Sequence, residues 1–257
     1  ELARHSDRPR TLDYIDMIFE DFTELHGDRF FGDDPALVGG IGFIEGRAVT
    51  VIGNQKGRNL RETIDRNGGM AHPEGYRKAL RLAKQAEKFH RPIVTFIDTQ
   101  GAYPGLGAEE RGIGEAIAVN LREFSRLKTP IICFIIGEGG SGGALGIGVG
   151  DKIYMLENAI FSVISPEGCA SILLRDSSRA KDAAVMLKIT SREVLGLKMI
   201  NGVINEPEDG AHTDPLKTAE AVRAQLLKDI ADLSKRDPAV LVKYRSKKIR
   251  SIGYFTE

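Results

Sequence analysis

The densest run of chemically suggestive residues is Gly137-Glu-Gly-Gly-Ser-Gly-Gly-Ala-Leu-Gly-Ile-Gly-Val-Gly150, which carries eight glycines after an apolar stretch. Three chemistries can be written on it. Gly137-Glu-Gly139-Gly-Ser-Gly142 satisfies G-x-G-x-x-G, with Glu157 about 20 residues from its start, the spacing of a dinucleotide-binding turn. The later glycines, however, leave room for only a short helix. Gly139-Gly-Ser141-Gly-Gly143 also satisfies G-x-S-x-G, the turn that exposes a serine nucleophile. His212 is the sole histidine after it and so the single candidate base. The third chemistry uses the backbone. A strand-to-helix turn of small residues presents free amide N–H groups that stabilise negative charge developing on an oxygen, and glycine lets a substrate carbonyl approach them. Asp98-Thr-Gln-Gly101-Ala102-Tyr103-Pro-Gly105 introduces a second strand, turn and helix of this kind. A protein that holds enolates or ureido oxyanions in this way needs few catalytic side chains. The structural alternative is that the glycines only let a short helix pack closely.

Other reactive residue types are dispersed. His5, His26, His72, His90 and His212 show no metal-ligand spacing, so no metal is expected on this chain. Cys133 and Cys169 are too few for a disulfide framework or a zinc ribbon, and Cys169, between Gly168 and Ala170, reads as a packed residue. Glu138 and Glu167 are possible site carboxylates, ranked below the glycine amides. Arg77 and Lys78, early in a helix, are expected at the surface. Lys243-Tyr-Arg-Ser-Lys-Lys-Ile-Arg250 is basic with an interleaved aromatic, as an RNA contact would be, but a solvated helix face or a subunit contact is the preferred account of it.

The elements that must position these residues are legible from periodicity. Leu12, Ile15, Ile18, Phe19, Phe22 and Leu25 predict an amphipathic helix over 11–25. Val38–Phe43 and Ala48–Ile52 flank Glu45-Gly46 as an antiparallel hairpin. A polar passage from Asn54 to Met70 precedes a helix from Pro73 to about Phe89. Strand Ile93–Ile97 leads to a helix through Ile113, Ile117, Leu121, Phe124 and Leu127, with Glu109 and Glu110 in its first turn. Strand Ile131–Ile136 leads to the glycine run, followed by short strands at 153–156, 160–164 and 203–204. Two C-terminal helices follow Asp214-Pro215 and Asp237-Pro238. The class is α/β, read as one domain over 1–257.

Composition limits the function. Lys plus Arg and Asp plus Glu are 36 each, so no net charge argues for nucleic acid or an anionic membrane. No segment approaches the roughly 18 consecutive apolar residues of a membrane span. With two cysteines and no signal-peptide pattern at the start, which lacks a methionine, a cytoplasmic setting is expected.

Three long strings carry a resemblance: Asp98-Thr-Gln-Gly-Ala-Tyr-Pro-Gly-Leu-Gly-Ala-Glu-Glu-Arg-Gly112, the run from Gly137 to Asp151, and Ser162-Val-Ile-Ser-Pro-Glu-Gly-Cys-Ala-Ser-Ile172. Leu25–Arg29, Val38–Ile41, Gln55–Arg58 and Pro73–Leu80 support it. Together they resemble the carboxyltransferase alpha subunits of bacterial acetyl-CoA carboxylase. The resemblance implies a crotonase-like fold, a superhelix of ββα units with flanking helices, and an α2β2 assembly with a beta subunit that carries a four-cysteine zinc ribbon. It implies transfer of the carboxyl group from carboxybiotin, on the biotin carboxyl carrier protein, to acetyl-CoA, giving malonyl-CoA for fatty acid synthesis. Biotin carboxylase would complete the larger complex. By resemblance the amides of Gly142 and Gly143 form the oxyanion hole on the biotin side. Gly139, Gly140, Ser141, Gly101, Ala102 and Tyr103 line the carboxybiotin pocket, and Lys56 and Arg58 are candidate contacts to carboxybiotin or a CoA phosphate. The family often carries proline where this chain has Gln100, which implies a less rigid turn, and its members begin with a further helical segment ahead of the position of Glu1. The alternatives are another biotin-dependent acyl-CoA carboxyltransferase or decarboxylase subunit, a serine hydrolase using Ser141, and an RNA-binding protein.

Overall fold

The computed structural model describes residues 1–253. A 3-10 turn at Leu2–Arg4 precedes helix α1 (Thr11–Ile18), strands β1 (Glu20–Glu24), β2 (Leu37–Ile44) and β3 (Arg47–Asn54), and helices α2 (Leu60–Asp65) and α3 (Pro73–Lys88). Strand β4 (Ile93–Thr99), helices α4 (Leu106–Glu110) and α5 (Ile113–Phe124), strand β5 (Ile131–Gly140) and helix α6 (Ser141–Leu145) follow. The remainder holds β6 (Lys152–Leu156), β7 (Ile160–Ser162), α7 (Pro166–Cys169), α8 (Ala180–Leu187), α9 (Ser191–Gly196), β8 (Gly202–Ile204), α10 (Pro215–Leu233) and α11 (Pro238–Arg250).

The strands form one mixed sheet in the order β1-β2-β3-β4-β5-β6-β8. The first three are antiparallel and the rest parallel. Strand β5 forks, pairing with β6 through Ile132–Ile135 and with β7 through Glu138–Gly140. Helices cover both faces. Gly39 lies against Leu82 of α3 and pairs with Ile52, whereas the next residue along β3, Gly53, lies against Thr11 of α1, and successive strand residues face opposite ways. On the α1 side an aromatic row runs across the sheet: Tyr14, Phe96, Phe134 and Tyr154 stack with centroids 5.6 to 5.9 Å apart. Gln225 of α10 donates to the Tyr154 hydroxyl at 2.8 Å.

Several elements differ from the sequence reading. The helix expected over 11–25 ends at Ile18, and Phe19 turns extended to start β1, which pairs with the free edge of β2. Phe19 and Phe22 pack over Gly42 and Gly40, so strand pairing captures the second half of the apolar pattern. The helix expected to begin near Glu109 is two helices, because Gly112 sits in the left-handed region between α4 and α5. The polar passage 54–70 contains α2, capped by the Asn59 side chain, which accepts the N–H of Glu62 at 2.9 Å. Gly137–Gly140 are strand residues within β5, not a loop. Arg77 and Lys78 are not surface cations: Lys78 is fully buried and donates to Asp33 at 2.6 Å and to the Asp34 carbonyl at 2.9 Å, while Arg77 pairs with Asp28 at 2.8 Å. Burial would raise the Asp33 pKa, but its hydrogen bond from Lys78 holds it well below the usual carboxylate range.

The basic run on α11 is likewise turned partly inward: Arg245 and Lys248 are drawn into the fold, while Lys243, Tyr244, Lys247 and Arg250 stay exposed. Arg245 is 1% exposed. It pairs with Asp151 at 2.7 Å and donates to the carbonyls of Phe124, Leu127 and Thr129 at 2.8 to 2.9 Å. Lys248 donates to Asn201 at 2.7 Å, and burial draws its ammonium down to about 8. Replacing Arg245 by Met leaves Asp151 charged, buried and unpaired, so chemical denaturation is expected to show a loss of about 3–5 kcal/mol. Exposed Lys247→Ala is expected to stay within about 0.5 kcal/mol of wild type.

Candidate active site

The site forms where β4 and β5 end side by side. Beyond Thr99 the chain turns through Gln100, Gly101 and Ala102, and beyond Gly140 it enters α6. The two segments touch backbone to backbone: a Cβ on Gly143 would stand 2.5 Å from the Ala102 nitrogen and 2.6 Å from the Gly101 oxygen, and one on Gly140 would stand 2.8 Å from the Thr99 oxygen. Only glycine permits that approach. Side chains then fix the pair. Tyr76 of α3 donates its hydroxyl to the Gly143 carbonyl at 3.2 Å, and Asn120 of α5 donates to the Gly146 carbonyl at 2.9 Å. Thr99 donates its hydroxyl to the Gly101 carbonyl at 2.6 Å. The Tyr103 ring packs on His72 with centroids 4.2 Å apart, and its N–H donates to the Ala71 carbonyl.

The two small-residue turns do not serve alike. Around β4 the N–H of Gly101 is taken by Thr99 Oγ1 and that of Tyr103 by Ala71, while that of Ala102 between them has no acceptor among the described residues, and α4 begins only at Leu106. Around β5 the amides of Gly142 and Gly143 open α6 and have no acceptor among the described residues. Ser141 is held at φ +50°, a conformation unusual for a side-chain-bearing residue, and this turns the chain sharply from strand into helix. Gly139, Gly140, Ser141, Gly101 and Ala102 therefore cluster with Gly142 and Gly143, and Tyr103 borders them.

Of the two cations in the Gln55–Arg58 segment, one joins this cluster. Lys56 Nζ lies 2.7 Å from both Asp98 Oδ1 and Glu138 Oε2. Burial would lower its pKa, but the charges of Asp98 and Glu138 hold it above its ordinary value. Arg4 donates to Glu138 at 2.6 Å and to Glu167 at 2.8 Å, tying the N-terminal segment to β5 and α7. Arg4, Lys56, Asp98 and Glu138 line a cavity of about 190 Å³ together with Gln100. Lys56 is thus committed to two carboxylates, and Arg58 pairs with Asp13 away from the cavity. Ser141 itself lines a separate apolar groove of about 170 Å³ with Leu145, Phe161, Val163, Val194 and Leu197. Sequence reasoning missed Arg4 and Asp98: Arg4 lies outside every motif, and Asp98 opens the first of the family strings but has no partner near in sequence, whereas Glu138 and Glu167 carried a signal only as carboxylates inside the other two strings.

Other chemistries lose their geometry. Of the G-x-G-x-x-G glycines, Gly137 and Gly139 are strand residues within β5 and only Gly142 enters a helix, so they form no phosphate loop. His212 stacks on His5 at 3.7 Å and makes no hydrogen bond with Ser141. Cys169 is buried with Ala170 and Ala183 in a small apolar cluster, and burial pushes the Cys133 thiol up to about 11. Among the described residues no three His, Cys, Asp or Glu side chains converge as a metal set.

The contact geometry separates two neighbouring glycines. A Cβ on Gly142 would meet Ile117 at 3.7 Å, an ordinary contact, so Gly142→Ala is expected to fold with an unchanged or slightly higher melting temperature. Gly143→Ala must displace the Gly101–Ala102 turn and is expected to cost about 1–3 kcal/mol in thermal denaturation.

A family model described as acetyl co-enzyme A carboxylase carboxyltransferase-like matches residues 1–253. The acetyl-coenzyme A carboxylase carboxyl transferase subunit alpha of Treponema denticola is 87% identical over 257 residues, covering 100% of this chain and 84% of that one. The corresponding subunit of Alkaliphilus oremlandii is 57% identical over 253 residues, 98% of this chain and 80% of that one. Among solved structures, transcarboxylase 12S superposes with a TM-score of 0.73 at 20% identity, over 89% of this chain and 42% of that chain. The Pseudomonas malonate decarboxylase MdcD-MdcE hetero-dimer gives 0.68 at 16% identity, over 84% and 89%. At such identities the structures establish the fold, which is crotonase-like. The sequence relationship goes further: this chain belongs to the acetyl-CoA carboxylase carboxyltransferase alpha-subunit family.

Proposed function

We propose that the chain, as the alpha half of a carboxyltransferase, binds carboxybiotin presented by its carrier protein and, with a beta subunit, transfers the carboxyl group to acetyl-CoA. The observation that carries this reading within the site is the pair of unpartnered amides at Gly142 and Gly143, held against the Gly101–Ala102 turn. The difficulty of the reaction is the leaving group. When the N1′–carboxyl bond breaks, CO2 departs and negative charge collects on the ureido oxygen; donors fixed in advance at that oxygen lower the barrier without reorganising, each worth about 2.7–4 kcal/mol. The ureido nitrogen then takes a proton from the methyl carbon of acetyl-CoA, and the resulting enolate attacks CO2 to give malonyl-CoA. No side-chain base is required on this chain, in keeping with a site built from small residues.

The family membership implies a beta partner. We assign to that partner the acyl-CoA side, the enolate's own oxyanion hole and a zinc ribbon, within an α2β2 enzyme that works with biotin carboxylase in the cytoplasm. No helix among the described residues is long and apolar enough to cross a membrane.

The test is biocytin-dependent conversion of malonyl-CoA to acetyl-CoA by the chain with and without a co-purified beta subunit. Activity is expected only with the partner. Ser141→Ala is expected to retain activity within about threefold, whereas Gly142→Val, which crowds Ile117 and rotates the first turn of α6, is expected to lose about a hundredfold. A folded, associated pair that transfers no carboxyl group would overturn the substrate assignment.

A further inference from the structure

Strands β4 and β5 lose register immediately before the glycine arm. Ile97 stands opposite Ile135, but Thr99 stands opposite Gly139, so Asp98 alone faces Ile136, Gly137 and Glu138. A bulge of this kind leaves backbone groups without ladder partners, and bulges beside active sites re-aim the strand that carries them. Here side chains supply the partners. Asp98 Oδ1 accepts the N–H of Glu138 at 2.9 Å, and Arg8 Nε donates to the Ile136 carbonyl at 2.6 Å. A Cβ on Gly137 would stand 2.8 Å from Asp98 Cγ, so the carboxylate fills the space that a side chain there would need.

Asp98 and Glu138 are 5% and 3% exposed, and both carboxylates converge on one cation, Lys56. Two buried carboxylates brought together without a cation repel strongly. Asp98 lies three residues before Gly101, and Glu138 four before Gly142, so any separation of the two carboxylates passes directly to the two segments that face each other in the site. Lys56 itself follows the end of β3 by two residues. One ammonium therefore ties together the ends of three adjacent parallel strands.

We propose that Lys56 is a positioning residue for carboxyl transfer: its ammonium holds Asp98 to Glu138, closes the β4–β5 bulge, and so sets the amides of Gly142 and Gly143 against the Gly101–Ala102 turn. The proposal rests on the carboxyltransferase reading of the site. It differs from the sequence expectation, in which Lys56 touches the substrate.

The experiment uses the chain complexed with its beta subunit, biocytin and malonyl-CoA as substrates, and amide hydrogen exchange over Glu138–Gly143. Lys56→Met is expected to lower kcat about a hundredfold, as a misplacement near 1 Å does, with both KM values within about twofold of wild type. Exchange over Glu138–Gly143 is expected to accelerate in the same variant. Lys56→Met/Asp98→Asn leaves an amide oxygen to accept from Glu138 N–H and leaves Glu138 balanced by Arg4; it is expected to recover at least about tenfold of the lost kcat. A raised KM for biocytin with kcat unchanged, not restored by the second substitution, would show direct substrate contact and overturn the proposal. Unchanged kcat with unchanged exchange would overturn it equally. If Lys56→Met does not fold, the doubly substituted chain decides: near-wild-type kcat supports the electrostatic clamp, and a lost kcat in a folded protein refutes it. Should the wild-type complex transfer no carboxyl group, the exchange comparison still reports whether Lys56 holds the arm, separating failure of this role from failure of the functional reading.

Discussion

The site depends on two backbones meeting with no side chain between them. Gly140 and Gly143 rest on the Thr99–Ala102 backbone, and a single Cβ at either position would fall inside van der Waals distance of main-chain atoms that cannot swing aside. The constraint runs outward from that contact. The turn is pinned by Thr99 from below and by Ala71 from the side, and α6 is pinned by Tyr76 and Asn120 from the helices above. These helices in turn are fixed by burial of an almost continuous apolar face on the sheet, with α3 contributing Ala79, Leu82, Ala83 and Ala86 to the core.

Charge is used for geometry more than for surface character. The chain is neutral overall, yet buried Arg8, Lys78 and Arg245, half-buried Lys56 and exposed Arg4 each bridge elements distant in sequence: Arg4 to β5 and α7, Arg8 to Glu206, Lys56 to β4 and β5, Lys78 to the Asp33–Asp34 loop, and Arg245 to Asp151. A buried ion pair contributes little net stability, because desolvation offsets the Coulomb gain, but losing one partner leaves the other uncompensated. Such pairs therefore select one arrangement of strand ends and reject others. The N-terminal segment takes part in this, since Arg4 and Arg8 reach the carboxyl ends of the strands where ligands of parallel sheets bind.

Backbone donors suit a reaction in which the charge to be stabilised sits on an oxygen and no proton need be exchanged with the protein. An amide cannot be tuned by titration, so placement is its one adjustable property. That is why the proposed chemistry requires a stiff scaffold and not a set of perturbed side chains. An apolar groove reaches Ser141, the residue next to these amides.

Much of this was legible in the chain as written. The α/β class, the hairpin about Glu45-Gly46, the long helix from Pro73 and the two C-terminal helices follow from local periodicity and turn chemistry, and those local forces persist in the fold. The three long strings carried the family, and the two glycine-rich ones carried the small-residue cluster, because backbone approach demands particular residue types at particular places. The start of β1 was not legible, since an apolar spacing compatible with a helix was taken up by a strand edge present only once β2 had formed. Nor was the strand character of Glu138–Gly140, which depends on pairing with β7. Lys78 and Arg245 look like surface cations in sequence and are buried, because their carboxylate partners lie 45 and 94 residues away. The sequence by itself determined which backbone could come close and which family the chain resembles. Only the tertiary structure decided that Lys56 is bound to Asp98 and Glu138 while Arg58 is not, because a charge pair is selected by distance in space, and that distance is set by the sheet.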